Sequence, residues 1–219
     1  MKKIILLILI FLLSINIIKT EATMLEMPLI GKIIYLDAGH GGIDPGATYK
    51  DINEKDIALA ITLKLEEALS KKGAIVYLTR RTDTDLADVN ATYRKRSDLG
   101  KRAKLINESD CELYLSLHLN SYPSTKWAGA QVFFTTKNDS NKIIAEFIQN
   151  ELKEKMNTNR EFKEIKNMYM YDRISKPGVL IEVGFLSNTN DRNNLLNEKY
   201  QEKLVLAITD GVIKYLHQF

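Results

Sequence analysis

Two kinds of hydrophobic pattern alternate along most of this chain. Short apolar runs are typical of strands that are buried in a sheet. Longer stretches carry apolar residues three or four positions apart, which is typical of helices that bury one face. The runs that predict strands lie at residues 32–36, 74–79, 113–119, 130–135, 168–171 and 178–183.

The stretches with helical spacing predict four helices. The first predicted helix is preceded by Asn53, a residue type that caps helix N-termini, and is followed by Gly73, a residue type that often ends helices. The polar stretches at residues 82–93 and 157–167 predict loops. The four predicted helices cover residues 55–71, 94–107, 140–156 and 198–216.

The alternation of strands with helices predicts the fold class. It indicates an α/β domain in three layers, with a twisted, mostly parallel sheet flanked by helices. A chain of 219 residues is long enough for one such domain with a substantial core. We expect the domain to occupy residues 32–219, after a linker at residues 23–31.

The N-terminus departs from this alternating pattern. Two lysines follow Met1, and residues 4–18 are apolar apart from Ser14 and Asn16. This pattern is typical of a secretory signal, and the apolar run is shorter than the roughly 20 residues that a membrane span needs. We expect residues 1–22 to be either a cleaved signal peptide or an uncleaved signal anchor that holds the protein at the membrane. Both alternatives predict an exported protein that acts outside the cytoplasmic membrane.

Composition and charge exclude several classes of protein. The net charge is only +3, and removal of the first 22 residues leaves +1, so the chain lacks the concentrated basic face of a nucleic-acid binder. Cys111 is the only cysteine, which excludes an intrachain disulfide and a cysteine-rich zinc cluster.

Two histidines and two glutamates lie at the ends of predicted elements. His40 follows the first strand in a glycine-rich turn, Glu54 precedes the first helix, and His118 and Glu182 lie near the ends of later strands. The carboxyl ends of parallel strands meet at one edge of a sheet, where ligands bind. Two histidines and a glutamate are a ligand set of catalytic zinc, and a further carboxylate is what a general base requires. These residue types alone leave other zinc hydrolases open, for example a carboxypeptidase.

Four motifs, in a fixed order along the chain, favour one of these alternatives. They carry a resemblance to a known family that extends from Lys32 to the C-terminus. The chain resembles the zinc-dependent N-acetylmuramoyl-L-alanine amidases of the amidase_3 family. Within that family it is similar to the germination-specific amidases of the spore cortex, through SLHLNSYPSTKWAGAQVFF and the single-domain organisation. The four motifs are LDAGHGGIDPGA, NEKD, LYLSLHLNS and GVLIEVGFLSN.

The resemblance implies roles for individual residues. It implies that His40, Glu54 and His118 hold a Zn²⁺ ion at the carboxyl edge of the sheet, and that Glu182 is the catalytic glutamate. The implied reaction is hydrolysis of the amide between the lactyl group of N-acetylmuramic acid and L-alanine of the peptidoglycan stem peptide. Asp37 and Asn120 flank the ligands, where they orient a histidine, bind the substrate or make ordinary turn hydrogen bonds.

The resemblance leaves the biological setting open. The first hypothesis is a role in the spore cortex, where removal of the stem peptide precedes formation of muramic-δ-lactam and later germination. The alternatives are a vegetative autolysin or cell-separation amidase, and a non-catalytic peptidoglycan-binding module. About ten residues separate His118 from Gly129, too few for the inhibitory helix that some division amidases insert there. We therefore expect control by the timing of synthesis or by an activating or localising protein partner.

Overall fold

The structure, a computed structural model, describes residues 27–218. The predicted signal segment at residues 1–22 and the first part of the predicted linker lie outside the described residues. Residues 27–31 form a turn against the domain, in which Leu29 is fully buried and donates its backbone N–H to the carbonyl of Lys72. Within residues 27–218, no helix combines the length and the apolar character that a membrane crossing requires.

Six of the described strands form one sheet, in the order β4-β1-β5-β8-β6-β7. Neighbours β4, β1, β5 and β8 are parallel, whereas β6 is antiparallel to β8 and parallel to β7. The sheet is therefore mostly parallel, as expected. β2 and β3 form a separate hairpin. The strands are β1 (Ile33–Ala38), β2 (Thr48–Tyr49), β3 (Ile52–Asn53), β4 (Ile75–Leu78), β5 (Leu113–Asn120), β6 (Gln131–Phe134), β7 (Lys163–Glu164) and β8 (Gly178–Phe185).

Helices cover both faces of the sheet, which confirms the three-layer α/β architecture. Apolar residues of α1, α3 and α5 share one core cluster with the sheet, and α2 packs on the opposite face with a short 3-10 helix at Tyr171–Arg173. The short α4 had no apolar periodicity and was not expected from the sequence. The helices are α1 (Glu54–Lys71), α2 (Arg94–Glu108), α3 (Ser140–Met156), α4 (Thr189–Leu195) and α5 (Glu198–Leu216).

The side chains of β5 divide cleanly between the two faces of the sheet. Successive strand residues point to opposite faces. The four leucines of β5 belong to the core beneath α1, α3 and α5, whereas Tyr114 packs in the cluster beneath α2. The polar residues Ser116, His118 and Asn120 share the alternation of Tyr114, so they lie on the α2 face. The polar side chains of β5 therefore all lie on the face of the sheet that α2 covers.

The predicted strand at residues 168–171 is wrong. Residues there form a turn that leads into the 3-10 helix, and the outer strand β7 comes instead from the stretch predicted as a loop. The physical reason is that Tyr171 is buried over the α2 face, where its hydroxyl lies 3.0 Å from the Ser116 hydroxyl. To bury Tyr171 in this position the chain must run across the face of the sheet. A strand hydrogen-bonded within the sheet could not place Tyr171 there.

Candidate metal centre

Three predicted ligands converge at the carboxyl edge of β1 and β5. One potential ligand atom from each of His40, Glu54 and His118 lies within 4.8 Å of the other two. Glu54 Oε1 is 3.2 Å from His40 Nε2 and 2.9 Å from His118 Nδ1. Two imidazoles and a carboxylate that face one point are the donor set of a catalytic zinc site.

The turn after β1 fixes the orientation of His40. The residue has a φ of 58°, in the left-handed region that side chains other than glycine rarely adopt. Its Nδ1 lies 3.0 Å from Asp44 Oδ2, which leaves Nε2 directed to Glu54. Burial lowers the pKa of His40, but Glu54 and Asp44 outweigh it and hold the pKa above its ordinary value. Asp44 was missed in the sequence, although an aspartate four residues after a candidate ligand is a signal for an orienting partner.

Glu54 is held in place as the first residue of α1. Its Oε1 accepts a hydrogen bond from the Leu119 N–H at 2.9 Å, and its Oε2 accepts one from the Ala47 N–H at 2.8 Å. Burial raises the pKa of Glu54, but His118 and His40 outweigh it and hold the pKa far below its ordinary range. The residue therefore presents a fixed negative charge to the point where the two histidines meet.

Glu182 lies beside these three residues on β8. It pairs in register with His118 of β5, so the two side chains share the α2 face. Glu182 Oε2 is buried and has no hydrogen-bond partner among the described residues. Burial raises the pKa of Glu182 to about 7, with a further contribution from the charge of Glu54 and an opposing one from His118. An unpaired carboxyl with this pKa is suited to exchange a proton near neutral pH.

Asp37 is connected to the site through the buried Arg102. Its carboxylate accepts hydrogen bonds from Thr79, Ser116 and Arg102, all of them buried. Arg102 also donates to the backbone carbonyls of Ala38 and His40. Within residues 27–218 no hydrogen bond joins Asp37 to a histidine, and Asp37 is connected to the turn of His40 through Arg102.

Asn120 and Arg80 complete the surroundings of the site. Asn120 lines the pocket, and its backbone carbonyl accepts from the N–H of Leu186. Arg80 is buried and donates to the carbonyls of Ala38, Gly39 and Lys55, so it joins the turn of His40 to helix α1. No motif pointed to Arg80, although an arginine directly after an apolar strand was a usable signal.

A cavity of about 360 Å³ opens above these side chains. It is lined by His40, Glu54, His118 and Glu182, together with residues of α2 and of the turn before the 3-10 helix. The segment between β5 and β6 contains no helix and leaves this cavity open. This confirms the expectation that the chain does not block the site with an inserted helix.

Gly39 leaves room for the His118 ring, and this contact gives a prediction. A Cβ at position 39 would lie 2.4–2.6 Å from three ring atoms of His118. We expect Gly39→Ala to displace the ring and to weaken the affinity of this site for a divalent metal ion by about 10- to 100-fold, as measured with added Zn²⁺ in competition with a zinc-binding dye. The matched control is Gly100→Ala in α2, where the nearest atom lies 3.8 Å away. Equal zinc affinity in the two variants would contradict the prediction.

Comparison with known sequences places the chain in a family. A family model described as N-acetylmuramoyl-L-alanine amidase matches residues 34–214. The chain is 46% identical over 194 residues to a protein of Bacillus subtilis (strain 168) named germination-specific N-acetylmuramoyl-L-alanine amidase. That alignment covers 87% of this chain and 82% of the relative.

Solved structures agree with the sequence relatives. The CwlD amidase from Clostridioides difficile, solved in complex with the GerS lipoprotein, is 42% identical with a TM-score of 0.82, and the match covers 86% of this chain and all of that one. The catalytic domain of CwlV, an N-acetylmuramoyl-L-alanine amidase from Bacillus (Paenibacillus) polymyxa var. colistinus, is 29% identical with a TM-score of 0.74, over 84% of this chain and 98% of that one. The fold, the ordered motifs and both comparisons agree that this chain belongs to the N-acetylmuramoyl-L-alanine amidase family.

Proposed function

We propose that this chain is a zinc-dependent peptidoglycan amidase that acts on the spore cortex. The bond cleaved is the amide between the lactyl group of N-acetylmuramic acid and L-alanine of the stem peptide. The observation that carries the proposal is the convergence of His40, Glu54 and His118 beside the buried, unpaired carboxyl of Glu182.

The donor set fits zinc. Two imidazole nitrogens and one anionic carboxylate oxygen meet at one point, and the open cavity leaves a position free for water and substrate. A bound Zn²⁺ ion supplies Lewis-acid polarisation of the scissile carbonyl and activation of water. The role of the protein is to hold His40, Glu54 and His118 in this arrangement. Asp44 and Arg102 hold the turn of His40, and the backbone N–H groups of Ala47 and Leu119 hold Glu54.

Glu182 performs the proton transfers of the reaction. The water oxygen bonds to the carbonyl carbon, and the carboxylate of Glu182 accepts the proton that the water loses. The C–N bond then breaks as Glu182 returns that proton to the leaving nitrogen. The products are the free lactyl carboxyl of the muramic acid and a stem peptide with a free L-alanine amino terminus.

The proposed setting is the spore cortex, outside the cytoplasmic membrane. The B. subtilis relative is named for germination, and the C. difficile amidase was solved with a lipoprotein. On this basis we propose that the chain is exported through its N-terminal segment and that a protein partner assists it at the cortex. A deletion strain should then form spores that lack muramic-δ-lactam, whereas loss of a vegetative amidase should leave the lactam unchanged.

Zinc dependence provides the biochemical test. We expect the full-length protein loaded with zinc to release stem peptides from purified peptidoglycan, detected by mass spectrometry through their free L-alanine amino terminus. Prior treatment with a chelator should abolish release, and added zinc should restore it, because the proposed reaction requires a zinc ion to activate the water. Release that persists after complete removal of zinc would contradict the metal requirement. The absence of release by the zinc-loaded protein, both alone and with a spore-envelope extract that supplies the proposed partner, would contradict the amidase activity.

A further inference from the structure

A second groove adjoins the metal pocket on the same face of the sheet. Gln131 of β6 pairs in register with Glu182, and Phe133 pairs with both Leu180 of β8 and Lys163 of β7. Residues directly opposite each other in a sheet project to the same face. The groove has a volume of about 380 Å³, and Asn120 lines both it and the metal pocket. A substrate held at the metal centre can therefore continue into the groove across β6 and β7.

The groove is positively charged and aromatic. Its two cations are Arg160 and Lys163, and no aspartate or glutamate is among its lining residues. The Arg160 guanidinium lies over the rings of Trp127 and Phe185, at 5.1 Å and 5.2 Å from their centroids. In the described part of the chain, neither cation takes part in an ion pair. An anion is therefore the ligand whose charge this groove complements.

Arg160 also has an unsatisfied donor. Its Nε is buried and lacks a hydrogen-bond partner within residues 27–218. A buried donor without a partner costs free energy, and the guanidinium of Arg160, which lines the groove, is a group that a carboxylate or phosphate matches in charge and hydrogen bonding. The aromatic rings of Trp127 and Phe185 hold the guanidinium plane in a fixed position, which favours recognition of a planar anion.

We propose that this groove binds a free carboxylate of the stem peptide, on the peptide side of the scissile amide. The inference rests on the proposed amidase function. In that substrate the lactyl carboxyl of the sugar is consumed in the amide, so the sugar side carries no negative charge there. The peptide side carries free carboxylates, and they complement Arg160 and Lys163.

The dimensions of the sheet agree with a nearby carboxylate. Neighbouring strands lie about 4.8 Å apart, and Lys163 is opposite Phe133, two residues along β6 from the partner of Glu182, so Lys163 is roughly 12 Å from Glu182. An extended peptide covers at most about 3.4 Å per residue, so roughly three to four residues span this distance. The carboxylate that is recognised therefore belongs to the residues that directly follow the first alanine.

The test compares two synthetic muramoyl tripeptides with the same scissile amide, one with free peptide carboxylates and one with carboxamides. We expect zinc-loaded wild-type protein to prefer the carboxylate substrate by about 10- to 100-fold in kcat/KM, mainly through KM, because charged hydrogen bonds have this strength. In the double variant Arg160→Met and Lys163→Gln the preference should fall to within about threefold. Arg160→Lys should retain part of the preference, since it keeps the charge.

Further variants separate this role from its alternatives. Lys203→Gln removes an exposed cation from α5, far from the groove, and should leave the preference unchanged. If Arg160→Met fails to fold, Lys163→Gln alone tests the proposal, because Lys163 is exposed. Trp127→Ala should also lower the preference, because its ring contacts the Arg160 guanidinium.

The outcomes also distinguish this inference from the function on which it rests. Wild-type protein that cleaves neither substrate would refute the amidase function. Wild-type protein that cleaves both at equal kcat/KM would leave the amidase function intact and refute the carboxylate groove alone. A preference that persists in the double variant would likewise overturn the groove.

Discussion

Replacement of Glu182 by glutamine is expected to lower amidase turnover by about 10²- to 10⁴-fold while the protein still binds zinc. Glutamine preserves the shape of the side chain but cannot accept a proton from water. Among residues 27–218, Glu182 Oε2 is the buried carboxylate oxygen without a hydrogen-bond partner, and Glu54 is committed to the two histidines, so no other carboxylate of this part of the chain is placed to replace Glu182. The loss should therefore appear in kcat rather than in metal content.

The matched control for this variant is Glu54→Gln. The two substitutions are chemically identical and act on residues of the same pocket. Zinc content measured by mass spectrometry should remain near one ion per chain in Glu182→Gln and fall sharply in Glu54→Gln. Single-turnover hydrolysis should be lost in both. An active Glu182→Gln protein would rule out the assigned role of Glu182, and zinc loss in that variant would assign the residue to the metal instead.

Replacement of Arg102 by methionine is expected to destabilise the fold by about 3–5 kcal/mol, because it leaves buried carboxylates without their counter-charge. Arg102 is 1% exposed and pairs with Asp37 at 2.8 Å and with Asp98 at 2.9 Å. For a protein of this size the unfolding midpoint should fall by roughly 6–20 °C. Zinc affinity should fall as well, because Arg102 donates to the backbone carbonyl of His40.

An arginine on the surface provides the comparison. Arg81 pairs with Glu66, but its side chain is 60% exposed. Arg81→Met should cost less than about 1 kcal/mol, since water screens an exposed pair. Thermal unfolding of the metal-free variants, followed by circular dichroism, measures both effects. A similar midpoint for the two variants would show that the buried cluster contributes no more than a surface pair.

The pH dependence of the Arg102→Met defect follows from Asp37. Burial raises the pKa of Asp37, but Arg102 together with His118 and Ser116 outweighs it and holds the pKa below its usual value. The stability that Asp37 contributes is therefore present above its unfolded pKa of about 3.9 and is lost as the pH falls through the lower folded value. Without Arg102 the pKa of Asp37 in the folded state rises. Asp37 then becomes protonated as the pH falls, which removes its unpaired buried charge. The difference in midpoint between wild type and variant should be largest near pH 7 and smaller near pH 4.

Hydrophobic periodicity predicted the helices correctly where their apolar faces pack into the main core. The helices at Ser140–Met156 and Glu198–Leu216 begin and end at the expected residues, because their apolar stripes pack into the main core. The error at residues 168–171 arose because Met170 and Tyr171 are buried, yet against the face of the sheet rather than within it. An apolar stretch shows that residues are buried, but it does not show against which surface.

The sequence by itself determined the fold class, the family resemblance and the residue types of the site. These depend on hydrophobic periodicity and on ordered motifs, both of which are local properties of the chain. Only the tertiary structure decided that His118 and Glu182 lie opposite each other, since strand register is set by packing between distant segments. The same holds for Arg102, which reaches Asp37 across 65 positions of the chain, and for the groove of Arg160 and Lys163. Contacts between remote residues depend on how the layers pack, and no local pattern encodes them.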